Sequence, residues 1–362
     1  MKITDVQAHL LAIPMKEADF PAAWFSRDFH QVIVEIKTDE GVTGYGDAFG
    51  YFIPKASASV VNDVLKPMIL GADPTRISAL QDQMYRQTHL AGRYGITTFA
   101  ISGVDIALWD IAGKCAGLPL YRLLGGAREK KVPVYASLAR YGDPEKLKAA
   151  ASHAHRSGHD RIKIHQIDVE SLKAVRQAVG DGPKLMADIN CAWSLEKAED
   201  MARRFAPYNL HWLEEPIWPP EDFRSLARLG SRSPMPIAAG ENACTAYQFK
   251  AMLEAEAATY IQPSVTKVGG ITEWRRIAAL AETYNVRVAP HSPYFGPGLW
   301  ATVHLVATTP WAESVEYYYT SLEASLFKTP PKPEKGHLSL PEGPGLGLEI
   351  DPYVLQHYRV AS

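Results

Sequence analysis

Three short apolar runs, each ending in a carboxylate, constrain this chain more than any other feature. They read Leu185-Met186-Ala187-Asp188-Ile189-Asn190, Trp212-Leu213-Glu214-Glu215-Pro216 and Ile237-Ala238-Ala239-Gly240-Glu241-Asn242. Each is too short for a helix and stops at turn-forming residues. Asp188 and Glu214 are 26 residues apart, and Glu214 and Glu241 are 27 apart. A strand, a loop, a helix and a return loop use about that much chain in a βα repeat. The intervals therefore put Asp188, Glu214 and Glu241 at the C-terminal tips of three consecutive parallel strands. Such strands lie about 4.8 Å apart, so three neighbouring tips can converge on one ion. Bare carboxylates that close repel unless a divalent cation neutralises them, and an all-oxygen set suits Mg2+ or Mn2+ rather than Zn2+.

The same rhythm runs from Val132 to Glu316. Strands are predicted at 132–137, 161–165, 184–190, 211–214, 236–241, 259–262, 286–291 and 312–316. Helical patterns separate them at roughly 143–157, 169–180, 194–206, 221–229, 245–256, 271–284 and 298–308. Eight strands and seven helices read as an α/β parallel barrel that lacks its last helix. The first 125 or so residues lack this rhythm. There, 3–13, 31–38 and 42–48 read as strands, with a hairpin turn at Asp39-Glu40-Gly41. Helices are expected at 56–70, 75–88 and 95–116, the last apolar nearly all round and so buried between two layers. Two aromatic loops, 16–28 with Trp24 and 49–52 with Tyr51, read as local cores or as lids. After Glu316 the pattern stops, and the turn-rich stretch 343–347 is expected to fold back on the first unit. The expected division is a 1–127 α+β domain, a 128–320 barrel and a 321–362 strap.

Composition narrows the partners. The net charge is −2 with 22% charged residues and no long run of either sign, which argues against nucleic acid or an anionic membrane. The N-terminus opens as a strand without a signal-peptide pattern, and no apolar run is expected to span a bilayer. Cys115, Cys191 and Cys244 are odd in number and share no metal-ligand spacing. That fits a reducing, cytoplasmic compartment, with Cys191 and Cys244 as small buried thiols near the carboxylate tips. The expected partners are a small carboxylate substrate and further copies of the same chain.

In a barrel of this kind functional side chains sit at strand C-termini. The second strand, Arg161-Ile162-Lys163-Ile164-His165, alternates, so Lys163 and His165 share the lumen face. Burying them is costly unless they are paired or used. The seventh strand ends at His291 and the eighth at Glu316, which could bind a ligand oxygen or pair with a lumen base. Asn190 and Asn242 flank two of the proposed metal ligands. A metal beside such bases suits removal of the proton α to a carboxylate. Neighbouring cations and burial are expected to lower the pKa of Lys163.

At this point the residues resemble the enolase superfamily, in its mandelate racemase-like branch. The resemblance covers nearly the whole chain. It rests on Ser102-Gly103-Val104-Asp105-Ile106-Ala107-Leu108-Trp109-Asp110, the Lys163 strand, Asp188-Ile189-Asn190, Glu214-Glu215-Pro216, Gly240-Glu241-Asn242 and Lys267-Val268-Gly269-Gly270, with His291, Glu316 and the 344–347 strap. It implies a capping α+β domain on a (β/α)7β modified TIM barrel, Mg2+ on Asp188, Glu214 and Glu241, and specificity loops at 16–28 and 49–54. Superfamily members use a Lys or His base with Mg2+, which points to Lys163, His165 and His291. Two positions depart from the pattern. His165 stands where a second Lys is common, and Ser264 where an Asp would orient His291. Without that carboxylate His291 loses the partner that raises its basicity.

The expected activity is therefore Mg2+-dependent dehydration of an acid sugar or hydroxy acid, with a protonated His291 assisting loss of the β-hydroxyl. The alternative is a racemase, epimerase or cycloisomerase of a carboxylate. A phosphate-ligand barrel enzyme using 292–298 as an anion loop, and a non-catalytic metal-binding homologue, stay open as further readings. Expected substrate contacts are Glu316, Asn190, Ser264, Trp24 and Tyr51.

Overall fold

The structure, a computed structural model, describes residues 1–16 and 27–361, so Trp24 and most of the 16–28 loop lie outside the described residues. The chain opens with an antiparallel sheet of β1 (Ile3–Pro14), β2 (Asp28–Thr38) and β3 (Thr43–Ala48). Alternation along β2 divides its side chains between two cores. Val32, Val34 and Ile36 pack against this unit's own helices, while Ile33 joins the large core that includes the barrel.

The helix Ile96–Ala116 lies across the sheet at backbone contact distance. A Cβ built at Gly46 would stand 1.9 Å from the carbonyl oxygen of Gly103, so two small residues set the spacing. By length and composition this helix is long and apolar enough to cross a membrane, contrary to the expectation that no run would be. Its apolar surface is instead spent in the interior: 78% of its most apolar stretch is buried. Polar residues on the same helix fasten it to the start of the barrel helix Gly270–Thr283. The carboxylate of Asp105 accepts from the backbone N–H (3.0 Å) and hydroxyl (2.6 Å) of Thr272, and Ser102 Oγ accepts from Gly269 N at 2.8 Å.

The barrel strands are β4 (Lys131–Ser137), β5 (Arg161–Ile164), β6 (Lys184–Asp188), β7 (Leu210–Glu214), β8 (Ile237–Ala239), β9 (Tyr260–Ile261), β10 (Arg287–Val288) and β11 (Val315–Tyr318). They pair in parallel in the order β11-β4-β5-β6-β7-β8-β9-β10, and a bridge from Val288 to Ala312 joins the two ends. One helix follows each strand from β4 to β10. This is the (β/α)7β barrel with an α+β cap. A further strand, β12 (His337–Ser339), pairs antiparallel with β4. Three residues carry no readable period, which is why the sequence did not reveal it. Beyond β12 the chain reaches the cap: Leu346 N donates to Asp110 Oδ1 at 2.8 Å, and Leu120 N to Gly345 O at 2.8 Å.

Alternation along the barrel strands also divides two cores. Ile162, Leu185, Leu213, Ile237 and Ile261 face the helices. Tyr135, Met186, Trp212, Ala238, Tyr260 and Ala289 form a separate cluster that plugs the lumen. Everything above that plug is free for chemistry.

The close approach of helix and sheet gives a direct test. Gly46→Ala must push Ile96–Ala116 off β3 and should cost about 1–3 kcal/mol in thermal or denaturant unfolding. Gly182→Ala, where a Cβ meets nothing within 4 Å, should shift stability by less than about 0.5 kcal/mol.

Candidate active site

One step of alternation above the plug places the polar side chains. Met186 leads to Asp188, Trp212 to Glu214 and Tyr135 to Ser137, all on the lumen face. Glu241 is one residue out of phase with Ala238. Gly240 corrects this with φ +122, a conformation that favours glycine, and a Cβ there would stand 2.9 Å from the Phe249 ring. As a result the carboxylate oxygens of Asp188, Glu214 and Glu241 lie within 4.8 Å of one another. Burial raises the pKa of Glu214 well above the usual carboxylate range, with Asp188, Glu316 and Glu241 adding to it against Lys163. Burial and Asp188 also raise that of Glu241. Three carboxylates forced together out of water fit a hard divalent cation, whose charge offsets both the cost of burial and the mutual repulsion that raise these values.

Lys163 is fully buried and holds the centre of the charge cluster. Its Nζ is 2.6 Å from Glu214 Oε1, 2.8 Å from Glu316 Oε1 and 3.4 Å from Asp188 Oδ2. Burial pulls its pKa down, but Glu214 and Glu316 outweigh this and raise it well above the usual lysine value. This corrects the expectation of a lowered pKa, because the neighbours that surround Lys163 are carboxylates. Glu316 completes the floor: its carboxylate also accepts from Ser137 Oγ (2.7 Å) and Ser292 N (3.1 Å). Against burial, Lys163 holds its pKa at about 2.

Two imidazoles flank this floor with opposite wiring. His165 Nδ1 lies 2.5 Å from the carbonyl oxygen of Leu138, which can only accept, so Nδ1 carries a proton. A neutral His165 therefore presents a lone pair at Nε2, on the side of Asp188 (3.3 Å) and the cavity. In His291 the arrangement is reversed. Nε2 faces a carboxylate oxygen of Glu241 at 3.3 Å, while Nδ1 faces two hydroxyls, Tyr294 Oη at 3.1 Å and Ser264 Oγ at 3.3 Å. A neutral His291 therefore keeps its proton on Nε2 and accepts a hydroxyl hydrogen at Nδ1. Burial lowers its pKa to about 3, against the nearby Glu316 carboxylate, which favours the protonated form.

The cavity above these groups has a volume of about 670 Å3. Lys163, His165, Asp188, Asn190, Glu241, His291, Glu316 and Tyr51 all line it; Glu214 lies beneath it. Ser264 does not line it. It is fully buried behind His291, in hydrogen-bond contact with Tyr294, so it meets the imidazole and not the cavity. Tyr51 donates its hydroxyl to the carbonyl of Pro293, which links the cap to the loop after β10. In that loop Ser292 N donates to Glu316 and Gly298 N to Asp47 (3.2 Å), so carboxylates already occupy these two donors. Of the thiols near the tips, Cys244 is buried, but Cys191 is only half-buried and donates to Glu215 Oε2.

Tyr294, Arg140 and Lys267 are among the cavity and support residues that went unassigned in the sequence. Tyr294 and Arg140 sit in loops, which carry no period to mark an inward position. Lys267 was visible within a motif, and it lies almost fully buried with Nζ 4.9 Å from the centre of the Phe49 ring. Arg140 follows β4 by three residues, a strand-tip position of the same kind as those of Asn190 and Glu241, and that position is the signal the sequence carries for it.

Comparison with known proteins agrees with this architecture. Residues 146–354 match the model of the enolase C-terminal domain-like family, and 22–125 that of the mandelate racemase / muconate lactonizing enzyme N-terminal domain. The chain is 35% identical over 343 residues to an arabinonate dehydratase of Saccharolobus solfataricus, covering 91% of each chain. It is 36% identical to a 3,6-anhydro-alpha-L-galactonate cycloisomerase of Streptomyces coelicolor, covering 90% of each. The crystal structure of the 3,6-anhydro-D-galactonate cycloisomerase from Zobellia galactanivorans superimposes with a TM-score of 0.90 at 30% identity, covering all of both chains. This chain belongs to the enolase superfamily, in its mandelate racemase and muconate lactonizing enzyme-like branch, and is a lyase or isomerase of that family.

Proposed function

We propose that this enzyme removes the proton α to the carboxylate of an acid sugar and expels the β-hydroxyl as water. The observation that carries this is the opposed wiring of the two imidazoles. When neutral, His165 offers a lone pair at Nε2, beside Asp188, and His291 offers an N–H at Nε2, across one cavity. One base and one donor suit an elimination, in which the α C–H and the β C–O bonds break and a C=C bond forms. Racemisation needs a base on each face, and His291 has two hydroxyls rather than a carboxylate on Nδ1 and no lone pair turned to the cavity.

Asp188, Glu214 and Glu241 would hold Mg2+, or Mn2+ by the same oxygen preference. When bound, the metal supplies positive charge that stabilises the negative charge developing on the substrate carboxylate. The residues do the rest. Lys163 presents a fixed ammonium to that carboxylate, and Glu316 keeps the ammonium in place. His165 takes the α-proton at Nε2 and Leu138 steadies the imidazolium through Nδ1–H. His291, once it holds a second proton in the substrate complex, gives its Nε2 proton to the departing hydroxyl and is left as the neutral imidazole, with Nδ1 facing Tyr294 and Ser264. The enol product then tautomerises to a 2-keto acid.

A second reading follows from the similarity to cycloisomerases. The same groups would expel a ring oxygen, which stays attached to the product. Mass spectrometry separates the two: dehydration removes one water, whereas cycloisomerisation conserves mass.

Two predictions test the assignment of roles. Asp188→Asn and Glu214→Gln should each abolish calorimetric Mg2+ binding and activity while the melting curve shows a folded protein; unchanged affinity in both would refute the ligand set. In D2O, His165→Asn should stop exchange of the substrate α-proton, a loss of about 10²–10⁴-fold. His291→Asn should keep exchange and lose product formation by a similar factor. Equal loss of exchange in the two variants would make His291 a base and favour racemisation.

A further inference from the structure

The loop after β4 carries a guanidinium that the proposed chemistry does not use. Arg140 is half-buried on the cavity wall. Among the described residues it makes two hydrogen bonds, Nε to the backbone carbonyl of His165 (2.8 Å) and Nη2 to Asn190 Oδ1 (2.7 Å), and no ion pair. Both acceptors are neutral. Asn190 is itself held, because its Nδ2 and its backbone N–H donate to Asp188 Oδ1 at 3.0 and 2.9 Å. The guanidinium plane is therefore fixed from two sides, yet no carboxylate among the described residues meets its charge. Three of its five N–H bonds remain for a ligand.

Position matters as much as charge. Arg140 hangs on the backbone of His165, the proposed base, whereas Lys163 and Glu316 lie on the floor where the reacting carboxylate binds. A substrate whose first carboxylate meets Lys163 and whose α-carbon meets His165 would extend towards Arg140. A half-buried, pre-oriented guanidinium is a receptor for two oxygens in one plane, and a carboxylate fills it with two parallel bonds where a hydroxyl makes one. A cavity of about 670 Å3 has room for a chain bearing both groups. From this we infer that the substrate is a dicarboxylate, a sugar diacid or its monolactone, with its second carboxylate paired to Arg140. The inference rests on the proposed function and specifies its substrate class.

The test compares diacids with monoacids of the same stereochemistry, galactarate with galactonate and glucarate with gluconate. Calorimetric affinity and turnover are measured with Mg2+ for the wild type, Arg140→Ala and Arg140→Lys. The wild type should bind and turn over a diacid in preference to its monoacid. Arg140→Ala should weaken diacid binding about 30-fold, with a much smaller effect on the monoacid. Arg140→Lys should recover part of the affinity, since it restores the charge without the fork. A wild type that binds or turns over monoacids as well as diacids would overturn the inference, as would an Arg140→Ala variant that weakens both alike. Binding keeps the two readings apart. Diacid preference without turnover or α-proton exchange would count against elimination and not against Arg140. Measurable binding of none of the four acids would overturn both.

Discussion

The site depends on one buried ammonium. Lys163 Nζ lies within 3.4 Å of oxygens from Asp188, Glu214 and Glu316, all of them buried. Removing one partner from a buried ion pair typically costs about 3–5 kcal/mol, because the remaining charge is left in a medium that cannot solvate it. The cluster is therefore tolerable only as a set. Lys163 neutralises part of the carboxylate charge and leaves the remainder for a cation, while the plug of Tyr135, Met186 and Trp212 keeps water from the underside. A barrel without that plug would hydrate the acids and weaken their hold on the cation.

The cap contributes by closing the same space from above. Gly46 and Gly103 let the central cap helix lie on the sheet, and Asp105 and Ser102 fasten that helix to the barrel at Gly269 and Thr272. Phe49 and Tyr51, at the end of the cap sheet, then reach the cavity wall. Low polarity over the site strengthens each electrostatic contact on the floor. Cap, barrel and charge cluster thus serve one end, a cavity with an aromatic wall and a polar, fixed bottom.

Much of this was legible in the sequence. The interval of 26 and 27 residues between carboxylates fixed the βα repeat, and period-two alternation placed Lys163, Asp188 and Glu214 on the lumen face. What escaped depended on partners far away in the chain. The proton on His165 Nδ1 is set by the carbonyl of Leu138, 27 residues earlier, and Lys163 gains its high pKa from Glu214 and Glu316. No local pattern records such pairings. Ser264 was visible as a departure from the family, but the hydroxyl of Tyr294 that joins it behind His291 was not, since loop positions have no period. The strand at 337–339 was too short to show one.

The central claim is that the two histidines face the cavity with opposite tautomers, so that the site holds one base and one donor. Nitrogen-15 NMR of the Mg2+-loaded enzyme, with His165 and His291 assigned by single substitution, reads this directly. The account predicts that His165, when neutral, carries its proton on Nδ1, and that His291 is neutral at pH 7 with its proton on Nε2. The same tautomer at both positions, or a protonated His291 at pH 7, would contradict it.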